Sequence, residues 1–184
     1  MTRSAVLLMD LQHDFLGAKG SRMPVDAEGA AEIIDTANAI LSKEVLPQAI
    51  PILIVNQFPI SERLANLFRN GAAIAGSPGA NLDSRIRNTA QTKIIVKANP
   101  SAFRNPEMDR YLQAEGISDL YVMGVFAEGC VRSTVQDAIR RGYNVHVIAD
   151  SVASNASWKK RLALWAMKRA GASIMPSVHS QKSS

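Results

Sequence analysis

The stretch VMGVFAEGCVRSTVQDAIRRGYNVHVIADS (residues 122–151) runs from an apolar segment through a glycine-containing turn into a helical pattern closed by Gly142, and then into a second apolar segment. Short, continuously apolar, β-branched strands separated by helices indicate a parallel sheet covered on both faces. The stretch also holds the only cysteine of the 184-residue chain, Cys130, between strand and helix.

The same alternation extends outward. AVLLMD (5–10) reads as a buried first strand. Residues 26–49 read as a helix with Asp26 as N-cap and Pro47 near its end. PILIVN (51–56) and TKIIVK (92–97) are the second and third strands. Residues 105–116 form a short helix with Pro106 in its first turn and Gly116 just past its end. DLYVMGV (119–125) is the fourth strand, residues 129–142 a helix, and YNVHVIAD (143–150) the fifth strand. A helix from Trp158 ends near Gly171, and ASIM (172–175) is the sixth strand. Residues 60–88 are long, Gly/Pro-interrupted and weakly patterned, as functional lids or edges are. The expectation is one α/β domain over residues 1–177 and a polar tail over 178–184.

Composition narrows the function classes. The hydrophobic share of 47% is that of a globular protein. No run approaches the ~20 apolar residues of a membrane span. The N-terminal apolar run meets Asp10 too early for a signal peptide, and one cysteine cannot form an internal disulfide. A cytoplasmic location is expected, with no membrane partner. The formal charge of +5 is scattered. Its densest group, WKKRLALWAMKR (158–169), sets Trp158, Leu162 and Trp165 on one helical face, which leaves Lys and Arg as a solvated face and no nucleic-acid partner. Neither a Gly-x-Gly-x-x-Gly turn nor a phosphate-binding Gly-x-x-x-x-Gly-Lys loop is present. His13, His146 and His179 lie far apart without ligand spacing, so neither a metal nor a cofactor is expected.

In open α/β sheets ligands bind beyond the carboxyl ends of the strands. Those ends carry Asp10, Asn56, Lys97 and, after strand four, Phe126, Glu128 and Cys130. A thiol at a helix start lies near free N–H groups and a partial positive charge, which lower its pKa and can stabilise an oxyanion. Lys97 would stabilise a thiolate and orient Asp10. Asp10 could take the thiol proton, pass it to a leaving amine and then activate water. The bland alternative, that Cys130 is one more small buried hydrophobe, stands level with this on the residues alone.

Several segments together resemble the isochorismatase-like cysteine hydrolases, relatives of nicotinamidase and N-carbamoylsarcosine amidase. LLMDLQHDF is similar to the family's Asp-x-Gln-x-Asp/Asn-Phe opening, KANPSAF to its Lys-x-x-x-Ser-Ala-Phe segment, and GVFAEGCV to its Gly-Val-x-Thr-x-x-Cys-Val turn. GSPGANLD and TVQDAIRRGYNVHVIADSVAS also resemble family segments, in the family's order. The resemblance implies a three-layer α/β/α fold with a six-stranded parallel sheet in the order 3-2-1-4-5-6. It implies a catalytic triad of Asp10, Lys97 and Cys130, a cis peptide before Phe126, and an oxyanion hole from Phe126, Ala127 and Cys130. Homo-oligomers are common in the family, and the Trp158 helix and residues 60–88 are candidate interface elements.

Three departures refine this. The motif's usual Thr is Ala127. Nicotinamidases carry an Asp-x-His metal motif after strand two, where this chain has VNQFPISERL, which argues against nicotinamide as substrate and against the metal. Isochorismatases proper act on a vinyl ether and lack the nucleophilic cysteine, so Cys130 favours hydrolysis of a C–N bond in a small amide, carbamoyl or ureido compound through a thioester. Phe15, Phe58, Phe103 and Phe126 lie in or just after strand-end segments and suggest an apolar substrate pocket. Glu128 and Gln12 could supply polar selection, and Gln12 could equally hold a loop. The competing reading is a non-catalytic or redox-sensing protein with a single reactive thiol.

Overall fold

The computed structural model describes residues 3–17 and 19–177, so the polar tail expected over 178–184, with His179, lies outside the described residues. Six parallel strands, β1 (Arg3–Met9), β2 (Ile50–Asn56), β3 (Lys93–Lys97), β4 (Ile117–Val125), β5 (Asn144–Ala153) and β6 (Ser173–Met175), form one sheet in the order β3-β2-β1-β4-β5-β6. Five helices connect them: α1 (Ala27–Leu41), α2 (Arg63–Phe68), α3 (Pro106–Ala114), α4 (Arg132–Arg140) and α5 (Ser157–Ala170).

The apolar runs are continuous because both sheet faces are buried. Along β1, Val6 and Leu8 pack on one side with Ile33, Ala37 and Ile40 of α1. Ala5, Leu7 and Met9 pack on the other with Met108 and Leu112 of α3, Val135 and Ala138 of α4, and Ala163 and Met167 of α5. Period-two alternation thus feeds two cores, which gives the three layers. Asp26 caps α1, its Oδ1 accepting from the Gly29 N–H at 2.8 Å. Asn105 caps α3 ahead of Pro106.

Three expectations need correction. The first helix ends at Leu41, not near Pro47. The Ser42 N–H bonds back to the Asn38 carbonyl, the backbone turns left-handed at Lys43 (φ 61°), and Val45 tucks into the core. The 60–88 segment holds a short helix, α2, and a 3-10 turn at Pro78–Ala80. The third correction concerns α5. Trp158, Leu162 and Trp165 are 61%, 54% and 57% exposed, while Ala163 and Met167 are buried. Both stripes have helical spacing, and the one with the small alanine is the one that packs against the rest of the molecule.

Gly124 brings β4 close to the neighbouring strand at the sheet's carboxyl edge. Its φ is +116°, and a Cβ there would lie 2.2 Å from the Met9 carbonyl oxygen. Pairing between β4 and β5 shifts register between Val122 and Gly124, and the Val125–Phe126 peptide that follows is cis. The chain then leaves the sheet into the turn that carries Cys130.

Candidate active site

The strand order explains how distant residues meet. β3, β2, β1 and β4 lie side by side, so their ends bring Lys97, Asn56, Asp10 and the Cys130 turn into one row. Lys97 and Asn56 are register partners. The Lys97 side chain passes the end of β2 and places Nζ 3.0 Å from Asp10 Oδ2 and 3.2 Å from Cys130 Sγ. Asn56 Nδ2 lies 2.9 Å from Asp10 Oδ2 and 3.5 Å from Cys130 Sγ. Asp10, Asn56 and Lys97 are buried, and Cys130 is half-buried.

Asp10 adopts a left-handed backbone (φ 57°), a conformation that aspartate tolerates better than most residues. Its N–H bonds to the Ile54 carbonyl at 2.8 Å, which fixes the bend where β1 ends. Cys130 is not in the first regular turn of a helix. It sits in a wide π-type turn, Ala127–Val131, broken at Gly129 (φ −105°, ψ −106°), and α4 begins only at Arg132. The Gly129 and Val131 N–H groups bond to the Phe126 carbonyl, which holds that turn shut.

Electrostatics also differ from the expectation of a lowered thiol pKa. Burial pushes the Cys130 thiol up, to about 12, and the Asp10 carboxylate pushes the same way; Lys97 and the Asn56 donor pull against them. Burial likewise holds the Asp10 carboxyl above the usual carboxylate range despite the Lys97 charge. For Lys97, burial works to lower the pKa, and the charges and hydrogen bonds of Asp10 and Cys130 outweigh it, so the ammonium is held above its ordinary value. The Cys130 sulfur is therefore held toward its thiol form beside the Lys97–Asp10 salt bridge. The helix start does not overcome removal of the sulfur from water.

A cavity of about 370 Å³ opens over these groups. Phe15, Phe58 and Phe126 form much of its apolar wall with Met23, Ala72 and Pro100. Phe15 and Phe126 meet edge to face at 5.6 Å. The Arg69 guanidinium stacks on the Phe58 ring at 3.8 Å. Glu128 lines the cavity and accepts from the Ser154 hydroxyl at 2.9 Å, with Lys159 4.0 Å away.

Two predicted contacts are absent from the wall. Phe103 lies in the core on the α3/α4 side, between the Tyr143 ring and the Arg141 guanidinium, because its 3-10 turn (Ala102–Arg104) folds away from the cavity. Gln12 is fully buried. Its Nε2 donates to the Asn56 and Ala80 carbonyls and its Oε1 accepts from the Asn56 N–H. It holds the loops together and has no group left for a ligand. Asn56, Arg69 and Lys159 also line the cavity without matching any contact that the sequence predicts. Only Asn56 carried a signal, its place at a strand end.

A model of the isochorismatase domain matches residues 4–177, and the chain belongs to that family of hydrolases. The chain is 30% identical over 161 residues to an Arabidopsis thaliana protein named a probable inactive nicotinamidase, covering 82% of this chain and 81% of that one. It is 35% identical over 88 residues to N-carbamoylsarcosine amidase of an Arthrobacter species, covering 46% of this chain and 33% of the relative. The crystal structure of Pyrococcus horikoshii pyrazinamidase in complex with zinc superposes with a TM-score of 0.81 at 26% identity, covering 94% and 98% of the two chains.

The zinc of that relative raises the question of a metal here. The residues present do not fit one. The end of β2 offers the neutral amide of Asn56, whose nitrogen faces the carboxylate and the sulfur, and the residues just after it offer the ring of Phe58, covered by a guanidinium. Among the described residues no group of three His, Cys, Asp or Glu is placed to hold a metal ion.

Proposed function

We propose that this protein is an amidohydrolase that cleaves the C–N bond of a small amide, carbamoyl or ureido compound through a thioester on Cys130, without a protein-bound metal. The observation that carries the reading is the convergence of the Cys130 sulfur, the Lys97 ammonium and the Asp10 carboxylate beneath an apolar-walled cavity. The names of the relatives support the reaction class. The cavity volume suits a small ligand, near the low end of the ~300–1,000 Å³ of such pockets.

Substrate carbonyl carbon meets Sγ as the thiol proton passes to Asp10. The carbonyl becomes an oxyanion, received by backbone N–H groups of the Phe126–Ala127 segment and of Cys130. Collapse breaks the C–N bond, and Asp10 returns the proton to the departing nitrogen. Water then attacks the thioester with Asp10 taking its proton, and the sulfur leaves and recovers a hydrogen. The sum is amide plus water giving acid plus amine. Lys97 pulls Asp10 toward its ionised form and offsets charge on sulfur. Phe15, Phe58 and Phe126 enclose the acyl group, and Glu128 offers a polar contact at the wall. The sensor-thiol alternative wants an exposed, low-pKa cysteine. Cys130 has a raised pKa and is half-buried.

A panel of primary amides, N-carbamoyl amino acids and ureido acids, read by ammonia release, tests the reading. Turnover of at least one class is expected. Because Asp10 must be ionised to accept the thiol proton, kcat/KM is expected to rise with pH through the raised pKa of that carboxyl and to level off above it. Activity greatest at acid pH and falling toward neutrality would contradict it.

We also propose self-association through the apolar faces that α5 and α2 leave uncovered, where Trp158, Leu162, Trp165, Leu64, Leu67 and Phe68 are exposed. Trp165→Glu should lower the sedimenting mass. A single-chain mass for the unmodified protein would oppose this.

A further inference from the structure

Asn56 ends β2, between the strands that carry Lys97 and Asp10. Its backbone is gripped on both sides by one side chain. Gln12 Nε2 donates to the Asn56 carbonyl at 2.7 Å, and the Asn56 N–H donates to Gln12 Oε1 at 2.7 Å. Gln12 is itself tied to the Ala80 carbonyl at 2.6 Å. The side-chain amide that this clamp presents has its nitrogen 2.9 Å from Asp10 Oδ2 and 3.5 Å from Cys130 Sγ. Both neighbours accept hydrogen bonds, so chemistry requires the NH2 end to face them. The Asn56 Oδ1 and Asp10 Oδ1 atoms are buried without hydrogen-bond partners, and both residues line the cavity.

We propose that Asn56 is a positioning residue of the reaction. Its NH2 group bridges base and nucleophile, holds the Asp10 carboxylate in line to take the thiol proton, and donates to the sulfur as negative charge develops there. The inference rests on reading Cys130 as the nucleophile. A fixed donor gains more from an anionic sulfur than from a neutral thiol, so its contribution is larger in the transition state than in the resting enzyme. Around the sulfur, Asp10 faces it from just past the end of β1, Lys97 from β3, and Glu128, Arg69 and Lys159 stand in the cavity wall. Lys97 supplies charge from β3, and Asn56 supplies a directed dipole from β2. Gln12 acts through Asn56, which gives the buried glutamine of the first loop a reason beyond packing.

The experiment compares Asn56→Ala, the isosteric Asn56→Asp and the donor-retaining Asn56→Ser with the parent. It measures Cys130 alkylation by two thiol reagents of different size at fixed pH, together with kcat, KM and melting temperature. Loss of the donor is expected to slow alkylation about tenfold in the alanine variant, the equivalent of one unit in thiol pKa. Asn56→Asp, which adds a second carboxylate beside Asp10, should be slower still, and Asn56→Ser should recover part of the rate. The two reagents should give the same ratios, and kcat should fall in the same order with KM within about twofold. Alkylation at the parent rate in a folded Asn56→Asp protein, or effects confined to melting temperature, would overturn the proposal. Alkylation needs no substrate. An inactive parent with the expected alkylation order would therefore fault the amidase reading alone, and an active parent with unchanged alkylation would fault this inference alone.

Discussion

Cys130→Ala is expected to lower kcat/KM for the best amide of the panel by about 10⁴-fold or more, with little change in melting temperature. Asp10, Lys97 and the turn would persist in the variant, but without sulfur no acyl group can be held. Asp10 is too weak a base to drive direct attack by water at a comparable rate. Stability should change little, because the residue is half-buried at the cavity and alanine leaves only a small void. Ammonia release measured beside a thermal melt checks both parts. Turnover at a tenth of the parent rate or better would exclude the thioester.

The second large effect is expected from Lys97→Met, which keeps most of the side chain's bulk and removes its charge. The Lys97–Asp10 pair is buried at 3.0 Å, and removing one partner leaves an unpaired carboxylate. Breaking such a pair typically costs about 3–5 kcal/mol. The pH dependence has a definite sign. Without the ammonium, the folded-state pKa of Asp10, already raised by burial, rises further above its unfolded value. Such a group binds a proton more readily in the folded state, so stability is greatest below the unfolded pKa and falls as pH rises. The variant should thus lose about 3 kcal/mol near neutrality and approach the parent below about pH 4. Activity should fall about 10³-fold, since a protonated Asp10 cannot accept the thiol proton. Urea denaturation across pH gives the test. A deficit that does not vary with pH would mean that Asp10 is not the group left unpaired.

Much of this architecture is legible in the chain because its strands are buried on both faces. Val6, Leu8, Leu53 and Val125 serve one core while Leu7, Ile52, Ile54 and Val122 serve the other, so the strands stand out as unbroken apolar runs. The rule that parallel sheets bind at their carboxyl ends then leads to Asp10, Asn56, Lys97 and Cys130. What it does not supply is direction. Phe103 and Phe58 both follow strand ends, yet one faces the α3/α4 core and the other the cavity, and only the path of the intervening turn decides. Gln12 has the chemistry of a ligand contact, and its partners are backbone atoms brought near by residues far along the chain. Trp158, Leu162 and Trp165 share a helical face, but periodicity cannot tell which of two neighbouring stripes packs inward. The thiol pKa escapes for a related reason. Position before a helix is visible in sequence, whereas burial of the sulfur beside Asp10 is a property of the assembled site.

Hydrolysis is expected to pass through an acyl group on Cys130. Hydroxylamine is supplied to the enzyme with two amides that share an acyl portion and differ in the departing amine. The ratio of hydroxamate to carboxylic acid is then measured. A common thioester has lost all record of the amine, so the two substrates should give the same ratio. Ratios that differ with the departing amine would show that the nucleophile meets the amide itself, and the account of Cys130 would be wrong.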